Sequence, residues 1–545
     1  MNRGAGDRSG DAGRRAASAA AWAAGLIALG AVVGAVRWGA FVAGGSDSYC
    51  YLGQARMWLD GSLFQPVRPG FTPPWPDATL SFAPTGFVPS LAVPGGIAPI
   101  CAPGLAVAMA GAEFVAGSHG ATAIVPLCAG LVAWCAFLIG RRLAGPWAGV
   151  LSAFLVSLSP IVLYQAVQPM SDVPAAAGWL AALAIVAGGR GPVAGGLAAG
   201  VALVIRPNLA PLVLPLAVFA AWAVPRATTL RHRAGSLAWF AAGVAPGVAA
   251  TAGLNHALYG SSLQSGYGDP SLLFSTAHVV PNVARYSRWL VDTHTTWVLL
   301  ALIAPFVLAR TTRPGRPGAP PRALAVSSLS MVGALLLVYL PYVVFEDWWY
   351  LRFLLPGVVL LVVLASAVTV RGIARLPSVA AWPAGVAIAA LLGLGFLQTA
   401  RDRHAFDLRA SEARFVDAAA WVHDHLPPEA VVLTIWHSGS VRYYGDRFTL
   451  VWDALPPDGL DRAVGYLKEI GRPPFLLFDR AEPDEFRKRF GGQGEFGALD
   501  WPPRAQIGHD VALYDPADRD RYRRGEPVST ERVFTAAKRR GRGRT

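Results

Sequence analysis

The sequence predicts a mainly α protein: a polytopic transmembrane helix bundle of about 11 spans, with a small extracytoplasmic α/β domain at its C-terminal end. Three observations predict it. Long apolar runs recur from residue 18 to about residue 400, basic residues fall in the short connections between those runs, and from Arg401 onward charges become frequent and apolar runs short. Of 545 residues 54% are hydrophobic and 15% charged, and the mean hydropathy is +0.41. A soluble chain of this length does not have that composition. The net charge of +13 does not indicate nucleic acid, because the arginines lie between apolar runs and report topology instead. Only Lys468, Lys488 and Lys538 are lysines, and Ala, Gly and Pro are abundant, so the arginine bias is compositional.

Residues 1–17 read as an Arg-rich cytoplasmic tail, and 18–43 as an uncleaved first span, too long for a signal-peptide core. Further runs at 121–140, 146–165, 173–189, 192–206, 207–224, 235–254, 295–310, 323–344, 351–370 and 379–398 approach the roughly 20 residues a crossing requires. The 192–224 stretch reads either as two short spans broken at Arg206-Pro207-Asn208 or as one kinked helix. Basic clusters at Arg3/Arg8/Arg14/Arg15, Arg141/Arg142, Arg190, Arg226/Arg231/Arg233, Arg310/Arg313/Arg316/Arg322 and Arg371/Arg375 all fall on the cytoplasmic side if Ile97–Ala116, with Pro99 and Pro103, does not span. The other side then holds the long loop 44–120, Gln165–Asp172, the Arg206 turn, the loop 255–294, Glu346–Arg352 and everything after Gln398. The N-terminus is cytoplasmic, and the protein is a multi-pass protein of the inner (plasma) membrane. In the first loop, FTPPWPDATLSFAPTGFVPS reads as an irregular segment packed on the membrane face.

Residues 401–515 form the α/β domain: ARFVDAAAWVHDHL as an amphipathic helix, AVVLTI and PFLLF as buried strands, Asp461–Ile470 as the helix between them. The basic tail 516–545 reads as disordered. The four cysteines make no zinc pattern. Cys128 and Cys135 are packing residues in an apolar run; Cys50 and Cys101 share the oxidising side, which permits a disulfide.

The stretch GGSDSYCYLGQARMWLDG, residues 44–61, follows the first span directly. On a helical wheel Tyr51, Leu52, Ala55, Trp58 and Leu59 share one face, as in a helix lying along a membrane surface. It opens with Asp47. A second acid, Asp172, sits at another outer boundary, in SDVP. Each either caps its helix or supplies a site carboxylate. Both fall on one side of the membrane, where two carboxylates facing one cavity divide the labour: one accepts a proton, the other orients it or tunes it. Arg206, amid VALVIRPNLAPL, either snorkels to the surface or binds phosphate, to which its planar fork is suited. Arg352, in FEDWWYLRFLLP, is a second phosphate candidate. Glu346 and Asp347 beside Trp-Trp-Tyr read as an interfacial belt. Tyr267, Asp269, His278 and Arg285 are candidate substrate contacts. His437 and Ser438 read as an exposed strand-to-helix turn. Gly-rich stretches such as Ala194–Gly200 are small-residue helix packing. There is no P-loop, no strand-linked GxGxxG and no HExxH.

These pieces, in this order, resemble the GT-C class of membrane glycosyltransferases, and within it the branch of protein O-mannosyltransferases and lipid A aminoarabinose transferases, glycosyltransferase family 39. The matching pieces are Asp47 with Tyr51 and Ala55, Pro103-Gly104, Arg-Arg-Leu-Ala-Gly at 141–145, SDVP around Asp172, Arg206-Pro207, and Tyr-Leu-Arg-Phe-Leu-Leu-Pro at 350–356. The likeness covers residues 18–400. A doubled acid is common in the family's first loop; here Ser46 and Ser48 flank a single Asp. The resemblance implies transfer of a hexosyl or pentosyl group from a polyprenyl-phosphate donor to a hydroxyl of an acceptor (protein, lipid or glycan) on the outer face. It casts Asp47 as general base with Asp172 as its partner, and Arg206, Arg352, Tyr51 and Tyr267 as substrate-binding residues. No cofactor is implied; a divalent metal is used by some GT-C enzymes and is not expected here. A transporter or flippase of a lipid-linked saccharide is the alternative, but it calls for repeated halves or intramembrane acids. A noncatalytic envelope-assembly protein is a second one.

Overall fold

In a computed structural model, residues 3–66, 73–222, 229–309 and 318–534 are described. Arg226, Arg310, Arg313, Arg316 and the end of the basic tail from residue 535 lie outside them. The chain is a mainly α membrane bundle with a smaller β-containing C-terminal domain. Among the described residues six helices are long and apolar enough to cross a membrane: Gly13–Trp38, Ser118–Ala144, Leu230–Tyr259, Pro321–Tyr339, Trp348–Ile373 and Ser378–Asp402. Two bent pairs, Pro146–Leu158 with Pro160–Ala166 and Thr276–His294 with Thr296–Val307, raise the number to eight if each is one span. By length and composition the described residues thus give six to eight crossings, and the remaining apolar helices are short. Asp172–Ala187 and Pro192–Ile205 have 16 and 14 residues, which at 1.5 Å per residue is about 21–24 Å, short of the roughly 30 Å hydrocarbon core. Arg206 ends the second of these, and a 3-10 turn, Pro207–Leu212, precedes Val213–Trp222. Pro103–Ala116 is also too short to cross alone. At the N-terminus the helix begins at Arg3 and continues to Trp38, so the Arg-rich segment is helical and continuous with the first apolar run.

The small residues expected to pack helices do so. A Cβ on Gly196 would fall 2.2 Å from the Phe240 carbonyl, and one on Gly247 2.3 Å from that of Gly200, so Pro192–Ile205 and Leu230–Tyr259 meet backbone to backbone.

Three short strands in the first loop, β1 (Gln65–Pro66), β2 (Phe87–Pro89) and β3 (Gly96–Pro99), form a small antiparallel sheet. The C-terminal domain has β4 (Val431–Leu433), β5 (Phe448–Leu450), β6 (Pro474–Asp479), β7 (Ala505–Ile507), β8 (Val511–Tyr514) and β9 (Glu531–Val533), ordered β5-β4-β6-β8-β7-β9. β4 is parallel to both neighbours. Every residue of β6 is buried, which explains its unbroken apolar run, since helices cover both faces. Phe486, Phe490, Val464 and Leu467 pack on one face; Ala418, Trp421 and Val422 on the other.

Two expectations are corrected here. Trp75 and Phe82 of the Pro-rich loop segment join the core of the C-terminal domain, and Val451 N donates to Ser81 O at 2.7 Å. Residues 516–534 are ordered: Pro516–Arg523 is a helix capped by Asp515, and β9 pairs with β7. The basic run folds because acids meet it. Arg519 is 3% exposed, bonded to Glu495 at 2.9 Å and within 3.4 Å of Asp500.

Candidate functional site

Asp47 opens the helix Asp47–Leu59. That helix is not a membrane-surface helix with one wet face. Tyr49, Tyr51, Gln54 and Met57 are all buried, because it is wedged between Pro103–Ala116 and Ser438–Tyr444. Cys50 and Cys101 form a disulfide that ties it to the chain just before Pro103. On the other flank Ala43 N donates to the Tyr444 hydroxyl at 2.9 Å. A Cβ on Gly439 would stand 2.2 Å from the Tyr49 ring. Asp47 is thus fixed from both sides.

Asp172 opens Asp172–Ala187. Its carboxylate is ion-paired with the Arg206 guanidinium. Arg206 is the C-cap of Pro192–Ile205; Pro207 after it disfavours a further helical turn, and the side chain turns inward, lying 5.5 Å over the Phe353 ring. With 14% of its side chain exposed it does not snorkel. Arg352 stands in the 3-10 turn Trp348–Leu354. Its Nη2 donates to Asp47 Oδ2 at 2.9 Å, and its Nη1 lies 4.0 Å from Asp172 Oδ2. Its guanidinium sits over Tyr350 and Phe353 at 5.3 and 5.4 Å. Its Nε has no hydrogen-bond partner among the described residues.

The order in space is therefore Arg206, Asp172, Arg352, Asp47: alternating charges contributed by segments up to 305 positions apart in sequence. Burial divides the acids. The Asp172 side chain is 2% exposed and that of Asp47 36%. Asp172 is enclosed with the guanidiniums, whereas the Asp47 side chain is partly open.

Tyr51 is buried, and its hydroxyl bonds to Ser171 Oγ at 2.7 Å, joining the two acid-bearing segments. Tyr267 is 48% exposed, and the charges of Asp47 and Arg206 reach its hydroxyl. The remaining candidates go elsewhere. Arg285 bonds Glu346 at 2.5 Å, Asp269 accepts from Ser271 N, and His278 bonds the Pro341 carbonyl. Trp348 and Trp349 pack inward on Tyr164 instead of forming a belt. His437 and Ser438 are fully buried, not an exposed turn. Sequence reasoning missed Met170, Ser171, Asn208, Tyr339 and Phe353. Asn208 donates to the Tyr339 hydroxyl at 2.8 Å, and Tyr339 stacks on Phe353 at 5.0 Å, so the ring under both guanidiniums is itself backed. Phe353 and Asn208 adjoin conspicuous arginines; Tyr339 lies in an apolar run that offers no signal. Among the described residues no three His, Cys, Asp or Glu side chains form a metal-holding group.

A family model described as dolichyl-phosphate-mannose-protein mannosyltransferase matches residues 103–249. No curated protein sequence matches. Among solved structures, ArnT from Cupriavidus metallidurans bound to undecaprenyl phosphate is 13% identical with a TM-score of 0.50, over 90% of this chain and 97% of that one. Its apo form is 14% identical with a TM-score of 0.51, over 91% and 98%. The apo oligosaccharyltransferase of Archaeoglobus fulgidus is 11% identical with a TM-score of 0.52, over 90% and 74%. The fold of this chain is the GT-C fold of polytopic membrane glycosyltransferases.

Proposed function

We propose that the protein transfers a sugar from a polyprenyl-phosphate donor to an acceptor hydroxyl on the outer face of the membrane, as a relative of the protein mannosyltransferase and aminoarabinose transferase branch. The observation that carries this reading is the alternating cluster of Asp47, Arg352, Asp172 and Arg206. The disulfide between Cys50 and Cys101 supports the sidedness, since such bonds persist in oxidising compartments; the N-terminus is then cytoplasmic and the C-terminal domain is outside.

In this mechanism the acceptor oxygen attacks the anomeric carbon while Asp47 takes its proton. The bond from that carbon to the phosphate oxygen breaks on the opposite face, with inversion. The electron pair leaves on the phosphate, and Arg352 and Arg206 stabilise the charge that builds there. Asp172 keeps both guanidiniums aimed. Tyr267, half exposed in the 255–294 loop, is assigned to the sugar.

The test uses purified protein in nanodiscs with synthetic polyprenyl-phosphate sugars, following release of polyprenyl phosphate. Asp47→Asn should slow release by roughly 10²–10⁴-fold, the range for loss of a general base, while donor binding persists. Arg352→Met should weaken donor binding. Unimpaired release by Asp47→Asn overturns the reading.

A further inference from the structure

The C-terminal domain has a cleft of 310 Å³ that the transfer chemistry does not use. It lies at the carboxyl ends of β4 and β6. From β4 the chain goes to β5 on one side, and it returns to β6 on the other. This is the switch point of a parallel sheet, the place where such sheets open a crevice for ligands. Glu482 props the crevice open: Oε1 accepts Ile435 N at 3.0 Å and Oε2 accepts Asp479 N at 2.6 Å, so one carboxyl group fixes both strand ends.

We propose that this cleft binds a neutral saccharide portion of the acceptor and presents it to Asp47. The first argument is position. Gly45 lines the cleft, two residues before Asp47, with a φ of +56° and open space where a side chain would stand. The wall nearest the acid is bare backbone. The second is an aromatic platform: Trp436 lines the cleft and is 46% exposed in an otherwise buried turn, and a flat indole face suits the C–H face of a pyranose ring. The third is the polar lining. Arg414 Nε bonds both oxygens of Asp479, at 3.2 and 3.0 Å, and its Nη1 bonds Glu412 at 3.1 Å. Those carboxylates are held in place and keep lone pairs for sugar hydroxyls.

The charge balance selects the ligand class. Glu412, Asp479, Glu482 and Glu485 line the cleft against Arg414 and Arg480, which disfavours a phosphate. A cationic ligand would have to displace Arg414 from two carboxylates. A neutral polyol meets neither obstacle.

The proposal rests on the transferase reading for the acceptor and for the role of Asp47, and its test is separate. Full-length protein in nanodiscs is titrated with neutral gluco-, manno- and galacto-hexaoses, penta-lysine and tripolyphosphate, followed by saturation-transfer NMR. At least one hexaose should bind saturably. Trp436→Ala should weaken that binding roughly tenfold, the scale of one lost stacking contact, and Trp436→Phe should recover most of it. Asp47→Asn should bind the hexaose as the unaltered chain does. Absence of binding by all three hexaoses, or binding indifferent to Trp436→Ala, overturns the proposal. So does Trp436-dependent binding of penta-lysine or tripolyphosphate in place of the sugars. Failure of Asp47→Asn to stop polyprenyl-phosphate release would sink the transferase reading and leave this result standing.

Discussion

Asp172 and Arg206 offer a test of whether the charged cluster is a working device or ordinary structural glue. The Asp172 side chain is 2% exposed and that of Arg206 14%. Replacing Asp172 by Leu strands a guanidinium that retains the Phe353 ring at 5.5 Å, the Tyr339 hydroxyl beside it and more distant charged neighbours. Removing one partner of a buried pair costs about 3–5 kcal/mol, and the adjacent aromatic face offsets about 1 kcal/mol of that. The single variant should therefore lose about 2–4 kcal/mol. The double variant Asp172→Leu with Arg206→Met removes both charges and leaves Arg352 paired with Asp47 at 2.9 Å, so its stability should return to within about 1 kcal/mol of the parent. Unfolding by SDS, followed by circular dichroism, gives the free energies of the parent, the single and the double variant, and release of polyprenyl phosphate is measured alongside. The double variant should be stable and inactive. If the single variant loses under about 1 kcal/mol, or the double is no more stable than the single, the pair is not coupled as its burial demands and the reasoning fails.

Three further outcomes are expected. A Cβ on Gly104 would lie 2.5 Å from the backbone of Val204 and Ile205, so Gly104→Ala must shift the residue before Arg206, and polyprenyl-phosphate release should fall at least about tenfold with the fold retained. Reducing the Cys50–Cys101 disulfide, whose sequence separation is 51, should cost up to about 4 kcal/mol in the loop-entropy picture; Cys50→Ser with Cys101→Ser should unfold at lower SDS, and an unchanged midpoint would contradict the tether. The C-terminal domain should have a stability plateau in pH. Burial pushes Glu482 up to about 8, which favours the folded state at low pH and is lost as pH rises from the usual carboxylate range through 8. Burial, aided by the charge of Arg414, pushes His437 down to about 3, which favours the folded state above its ordinary value and is lost as pH falls toward 3. The two trends oppose each other between the ordinary values of the two groups. The melting temperature should therefore decline above about pH 6.5, and Glu482→Gln should flatten that decline.

The bundle was legible because composition and the spacing of apolar runs are membrane constraints written directly into sequence. The number of crossings was not, because a run of 14 apolar residues such as Pro192–Ile205 looks the same whether it spans or stops inside a protein. The candidate cluster was half legible. Asp47, Asp172, Arg206 and Arg352 stood out as charges in apolar surroundings, a rare and costly placement. Which acid pairs with which arginine depends on tertiary contact across as many as 305 positions, and no local pattern encodes that. His437 and Ser438 misled for the same reason: a polar pair after a strand looks wet until the Asp47–Leu59 helix and the first loop cover it.

Trp75 and Phe82 sit in the hydrophobic interior of the C-terminal domain, far in sequence from the strands that surround them. The two halves of this protein are consequently stapled by aromatic plugs and not merely joined by a linker. Cutting the chain near residue 400 would leave one fragment with a hole where an indole and a phenyl ring belong, and the other with those rings bare to water. Neither piece should behave as a well-mannered solution module, so dissection by point substitution is the more informative route.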